Sequence, residues 1–264
     1  MSWLFPLFSL LQPGQCLVQQ TFFVGHEPGL WIGGEYSSFQ NDGRIFRLLA
    51  RLDARFGVRD DLELGVNVDY ERARMAAGDD AGRRDGDTVA GISEVGFRIQ
   101  KRLFPFAVAR LGYRNSGENT LPADDLLAVN DGSAKFDFGG RFEAPWFFAD
   151  FSYVYRADPL SDRLELTLEA PFRDLFSGFT VGPRVDYIHT LHGFDIASDT
   201  WVAFLTSKGR NPFSLVQEQY LLAGIESSFT ISEDWWLTSA LGFRLWGRNT
   251  NKSIEGRVGI SALL

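Results

Sequence analysis

Cysteine is nearly absent from this sequence: Cys16 is the only one in 264 residues. A disulfide framework and a cysteine-built zinc cage are both excluded. Histidine is almost as scarce, with His26, His189 and His192 the whole supply, so chemistry built on imidazole has few starting points. Basic charge is in the minority, 26 Lys and Arg against 34 Asp and Glu for a formal net charge of −8. A nucleic-acid partner needs a basic face to neutralise phosphates, so none is expected. Long hydrophobic runs are missing too. Mean hydropathy is −0.10, and beyond the N-terminus no stretch approaches the roughly 20 apolar residues that a membrane-spanning helix requires.

What is there is aromatic: 24 Phe, 7 Trp and 7 Tyr in a chain that is 45% apolar. That fraction is too high for a disordered chain, and the length suits one large domain or two small ones. The N-terminus opens with the apolar block Met1 to Leu11, followed by a small-x-small pattern at Gly14 and Cys16. This reads as the core and cleavage region of a secretory signal, although no Lys or Arg precedes it. Residues 1–16 are therefore expected to be a signal peptide, and 17–264 a single domain.

Parity organises the rest. Successive side chains of a strand point to opposite faces, so a segment between an apolar and a wet environment alternates strictly. From Arg47 to Phe56, Arg47, Arg51, Asp53 and Arg55 are odd, while Leu48, Leu52 and Phe56 are even. From Leu62 to Glu71, Glu63, Asp69 and Glu71 oppose Leu64, Val66, Val68 and Tyr70. The same pattern recurs at 135–143, 147–156, 163–170, 181–187, 221–229, 237–248 and 254–260, and more weakly at Leu30 to Phe39, Thr88 to Gln100 and Phe104 to Arg114, twelve segments in all. Each keeps its charges on one parity.

A lumen enclosed by twelve strands is too wide to fill with apolar side chains, so the charges are placed inside and the apolar parity in lipid. In a bilayer an open sheet edge cannot be satisfied, and the strands must close. The connections sort accordingly. Those at 58–61, 101–103, 144–146, 173–177 and 232–234 are short, and the long ones at 75–87, 115–133, 157–162 and 190–214 alternate with them. Trp201 to Ser207 reads as part of the last of these. Tyr36, Tyr70, Tyr113, Tyr153, Tyr155 and Tyr187 share the apolar parity near the long-loop ends, and Phe56, Phe142, Phe147, Phe172 and Phe179 stand at the opposite ends. These are the two girdles of a membrane barrel. The fold expected is all-β: a transmembrane antiparallel up-and-down β-barrel of about twelve strands, in the outer membrane of a Gram-negative cell and in contact with its lipid.

The residues expected to line a pore follow strand by strand. They are Arg47, Arg51 and Arg55; Glu63, Asp69 and Glu71; Glu94 and Arg98; Arg110 and Arg114; Asp137 and Arg141; Asp150; Glu165; Arg184 and Asp186; Glu226; and Arg244. Arg248 shares the parity of Arg244. The signs nearly cancel, and opposite charges recur on neighbouring strands, so the field is mixed and strong ion selectivity is not implied. The excess of arginine over lysine suits planar pairing with carboxylates.

Catalytic chemistry is not indicated. His189 and His192 lie at the long-loop end near Asp186 and Asp195, but no His-x-Ser or Asp-x-His pattern accompanies them. The acidic runs Asp79, Asp80, Asp85, Asp87 and Asp124, Asp125 read as solvated loop charge rather than a cation site. Neither a metal nor a cofactor is expected. Gly86-Asp87-Thr88, Gly96-Phe97-Arg98, the Lys101-Arg102-Leu103 turn and Gly112-Tyr113-Arg114 resemble the transporter family linked to meta-pathway phenol degradation. The resemblance implies uptake of small hydrophobic or aromatic solutes. The leading expectation is thus a passive outer-membrane channel for small solutes. The alternatives are a non-conducting barrel serving as a structural or surface-interaction protein, and an outer-membrane hydrolase using His189 or His192.

Overall fold

In a computed structural model the described residues are 10–38, 43–76, 88–116, 133–144, 146–156, 161–170, 172–176, 178–195, 197–198 and 216–264. The readings of Trp201 to Ser207 and of the two acidic runs lie outside them. The elements are all strands: β1 (Cys16–Ile32), β2 (Glu35–Ser38), β3 (Arg44–Arg59), β4 (Leu62–Ala76), β5 (Thr88–Phe104), β6 (Ala107–Ser116) and β7 (Ala134–Ala144). They continue with β8 (Phe147–Arg156), β9 (Arg163–Glu169), β10 (Phe172–Phe176), β11 (Phe179–Thr190), β12 (Gln219–Ser232), β13 (Trp235–Arg248) and β14 (Thr250–Leu263). β9 and β10 are two pieces of one stave, since both pair with β11. The short β2 folds back on β1.

Each stave pairs antiparallel with the next, and β1 closes the ring by pairing with both β3 and β14. The result is a closed twelve-strand barrel. Closure leaves no long stave at the edge of an open sheet, which is the condition for a sheet to cross a bilayer. Cys16 and Leu264 exchange backbone hydrogen bonds at 3.1 and 2.7 Å, so the two ends of the barrel chain meet at the short-turn rim.

Polarity is inside out. Leu52 and Val66 are 51% exposed, Leu241 is 51% and Val258 is 52%, all in mid-strand, whereas Asp53, Glu63 and Asp69 are buried. A soluble protein would have to leave this continuous apolar wall in water; a bilayer is its natural cover. Aromatic residues gather at both rims. Tyr113, Phe136 and Tyr155 form a ring chain at one end, and Phe104, Phe106, Phe142, Phe147 and Trp146 form another at the short-turn end.

Three sequence expectations are corrected. The first stave is Cys16–Ile32 and not Leu30 to Phe39. Most of its inner face is uncharged, with Leu17, Thr21 and Phe23 before the single acid Glu27, so alternation does not show. The turn expected at 101–103 falls at Pro105 and Phe106, because β5 runs on to Phe104. The third is a matter of phase: β13 carries an extra residue at Leu245, where Leu221 pairs with Trp246 but Leu222 with Arg244. A bulge of this kind shifts the alternation. Arg248 therefore leaves the row of Arg244 and reaches Asp195 in the following connection.

Candidate functional site

The inner wall is a woven set of ion pairs, and register explains why they meet. Residues directly opposite on paired strands share a face. Arg51 stands opposite Asp69 and grips it with two hydrogen bonds, Nε to Oδ1 at 2.8 Å and Nη2 to Oδ2 at 2.5 Å. Arg47 donates to Glu71 at 2.8 Å and to Glu27 of β1 at 3.1 Å. Arg55 lies 3.6 Å from Glu63. Arg98 of β5 reaches across β4 to Asp53 of β3 at 2.7 Å.

The opposite wall repeats the device. Asp150 accepts from Arg110 at 3.0 Å and Arg141 at 3.3 Å, and Glu94 accepts from Lys135 at 3.1 Å with Arg114 3.6 Å away. Arg114 is also 3.6 Å from Asp137. Gly139 lets the neighbouring strand approach here: a Cβ on it would lie 2.6 Å from the Phe151 backbone oxygen and 2.9 Å from the Arg110 Nη2 atom. Glu165 pairs with Arg163 at 2.9 Å. Arg184 gathers three carboxylates, Asp186 at 2.8 Å, Glu226 at 2.9 Å and Glu169 at 3.0 Å, and Glu226 also accepts from Arg257.

Every residue expected along the pore thus lies on the charged inner parity and takes part in this network. They are not equally open, however. At the short-turn end Glu63 has no exposed surface: Arg55 covers it, and the Leu11 backbone N–H donates to its Oε2 at 3.2 Å. Leu11, Leu17 and Trp236 pack together there. Residues 12–15 are tied to the rim by hydrogen bonds from Gly14 N to Gly57 O at 2.9 Å and Gly57 N to Gln15 O at 3.0 Å. At the other end Ile45, Ala73, Met75 and Val89 make a buried apolar cluster. Val89 joins it because Ser93 is an extra residue in β5, which shifts the phase of the outer half of that strand.

Between these ends lies open space. A cavity of about 280 Å³ is lined by Phe23, Gly25, Glu27, Arg47, Leu49, Arg51, Glu71, Arg244 and Glu255. A smaller one of about 70 Å³ shares Phe23 and Glu255 with it and reaches Arg184, Asp186 and Arg257. Phe23 is the common element. Its ring has the guanidinium of Arg51 at 5.9 Å and that of Arg257 at 5.7 Å, within cation–π reach. Tyr220 similarly lies 4.1 Å below the Arg244 guanidinium. Phe23, Leu49, Glu27 and Tyr220 escape a reading by charge parity, because three of them carry no charge and the fourth sits on the unread strand. The only sequence signal was an apolar residue on a polar parity.

His189 stacks beside Tyr187, with 3.4 Å between Nδ1 and the phenol oxygen, and no serine or carboxylate partner for it is recorded among the described residues. In the following connection Asp195 is partly buried, which works against ionisation. The hydrogen bonds from Arg248, the Ala197 backbone and Asn249 outweigh that, and hold its carboxyl below the usual range.

No known family profile matches the chain, and no characterised protein sequence matches it. Solved structures do. The COG4313 outer membrane channel from Pseudomonas putida F1 superposes with a TM-score of 0.70 at 11% identity, over 97% of this chain and 98% of that one. The translocator domain of the autotransporter NalP from Neisseria meningitidis gives 0.54 at 10% identity, covering 96% and 89%. A ΔS2S3 mutant of the TodX monoaromatic hydrocarbon channel gives 0.50 at 9%, covering 96% and 91%. Likeness at such identities speaks for the fold, and the fold shared by all three is the outer-membrane β-barrel.

Proposed function

We propose that this protein is a passive outer-membrane channel for small solutes, hydrophobic or aromatic ones among them, and not an enzyme. The observation that carries this is the combination of a lipid-type outer wall with a polar lumen that holds open cavities around Phe23. Arg47, Arg51, Glu71, Arg184, Asp186, Glu226 and Arg244 line the solute path, while the other paired charges stiffen the wall around it. Because the pairs balance, neither ion sign is favoured. The COG4313 channel and TodX are named as channels, which agrees with this reading. Residues 1–16 serve as an export signal removed on maturation.

Liposome swelling tests the proposal: vesicles carrying the folded protein swell in small neutral or aromatic solutes faster than protein-free vesicles. Equal rates for every solute would overturn it. The second reading, a non-conducting barrel, draws on the belt of Arg184, Glu226, Arg257, Phe23, Arg51 and Asp69, which fastens side chains from several strands across the inner wall. The same swelling assay separates the two.

A further inference from the structure

Three arginines depart from the rule that holds inside the barrel. Each inner-wall arginine described above meets a carboxylate. Arg44, Arg72 and Arg74 are exposed, and no ion pair is recorded for any of them among the described residues. All three lie on the lipid-facing parity at the long-loop end. Their neighbours in sequence fix the direction. Ile45, Ala73 and Met75 point inward and form the buried cluster with Val89, so Arg44, Phe46, Arg72 and Arg74 point out.

Register brings the three together. Phe46 stands opposite Arg74 and Leu48 opposite Arg72, while Arg44 is opposite Ala76 and so diagonal to Arg74. Same-face residues two apart on a strand are about 7 Å apart, and diagonal neighbours about 7–8 Å. The triangle is small enough for three long side chains to reach one tetrahedral anion. On β5, Thr88 and Ala90 stand opposite Arg74 and Arg72, and these small side chains leave the guanidiniums room. Beside and below them Phe46, Leu48, Tyr70 and Ile92 form an exposed apolar ledge. Lys252 of β14 extends the basic edge, its ammonium 4.3 Å from the Tyr36 ring. The far side of the same rim differs: Tyr113, Phe136 and Tyr155 carry no charge, and Tyr153 donates to the carboxylate of Asp162.

The geometry points to a site on Arg44, Arg72 and Arg74 for one phosphate of an anionic outer-leaflet lipid, the phosphorylated acyl-glucosamine of a Gram-negative outer membrane being the class that fits. The long loops of such a barrel face outward, which puts the triangle at the height of that leaflet's headgroups. Arginine suits the task, because its planar fork donates two parallel hydrogen bonds to phosphate oxygens. The acyl chains lie along Leu48, Tyr70 and Ile92. Glu71, on the same strand as Arg72 and Arg74, does not compete, since it points inward and is held by Arg47. An arginine facing hydrocarbon is costly at the bilayer midplane and cheap at the interface, so headgroup phosphate is the natural counter-ion for three of them. The site goes beyond the channel reading and does not depend on it. It requires only that the barrel stands in the membrane.

Native mass spectrometry of the full-length protein in detergent is the test, titrated with bisphosphorylated lipid A, with the same lipid dephosphorylated, and with inorganic phosphate. A basic side chain at an anionic lipid surface contributes about fivefold in affinity. The wild type is therefore expected to hold the bisphosphorylated lipid at least about tenfold tighter than the dephosphorylated one. The combined variant Arg44→Gln, Arg72→Gln and Arg74→Gln should lose that preference while the unheated protein keeps its fast gel mobility as a folded barrel. Removing exposed positive charge from the short-turn rim instead, with Arg59→Gln and Lys101→Gln, should leave the preference intact. Equal binding of the two lipids by the wild type, a folded triple variant that keeps the preference, or a short-turn variant that loses it equally would overturn the site. So would displacement of the lipid by inorganic phosphate at equal concentration, since that marks a site for the free ion.

Discussion

Replacing Glu226 with glutamine removes one negative charge from the most connected point of the inner wall, and the structure says where the loss falls. Glu226 Oε2 accepts from both Arg184 and Arg257. Arg184 keeps Asp186 at 2.8 Å and Glu169 at 3.0 Å, so it remains neutralised. Arg257 has no other carboxylate recorded among the described residues and retains only the Phe23 ring, 5.7 Å from its guanidinium. A hydrogen bond to a charged group contributes about 1.5–3 kcal/mol. These side chains are about one-fifth exposed, 20% for Arg257 and 21% for Glu226, so solvent screening reduces the coupling to about 1–2 kcal/mol. A double-mutant cycle of Glu226→Gln with Arg257→Met, read as urea unfolding of the barrel in vesicles, should give that coupling. The parallel cycle with Arg184→Met should give less than half of it, because Arg184 has other anions to hold it. Equal couplings, or a value for the Arg257 pair below about 0.3 kcal/mol, the additivity limit, would mean that Arg257 does not depend on Glu226.

Three further outcomes are expected. Leu52→Arg, in mid-strand on the outward face at 51% exposure, should cost about 2–4 kcal/mol of barrel stability in vesicles; a cost under about 0.5 kcal/mol, typical of a water-exposed site, would mean that face is not in lipid. Intact mass of the purified protein should start at Leu17, and Glu63, covered here by Leu11, should then become reachable by water. A mass that retains Leu11 to Gln15 would show that the segment bonded to Gly57 stays in place. The Asp195 carboxyl is held below its usual range, so its bond to Arg248 contributes fully above the ordinary carboxylate pKa and is lost as pH falls through the depressed one. Hydrogen-exchange protection at residues 191–195, taken relative to the intrinsic rate at each pH, should fall on acidification in the wild type and be low at all pH values in Asp195→Asn; wild-type protection unchanged down to strong acid would count against the assignment.

Much of the barrel was legible because one physical contrast repeats. Wherever a stave carries charge on one face and leucine or phenylalanine on the other, as β3 does with Arg51 and Leu52, a period of two declares both the strand and its orientation. β1 shows where that fails: Leu17 and Phe23 point inward and Gln20 outward, so its alternation is blurred although its pairing with β3 and β14 is unbroken. Bulges were equally invisible, since the extra residues Ser93 and Leu245 are defined by register against a partner strand and not by composition. For the same reasons the charged wall could be read in advance, but the cavity could not. It exists because Phe23, Gly25 and Leu49 interrupt the charges, and an interruption has meaning only once the neighbouring strands are in place.

Whether the charge-balanced lumen conducts is decided by single-channel recording in planar bilayers. The folded wild-type protein should give discrete conductance steps at both polarities, with a reversal potential near zero under a salt gradient. A protein verified as folded that gives no steps at either polarity would mean that the lumen is closed.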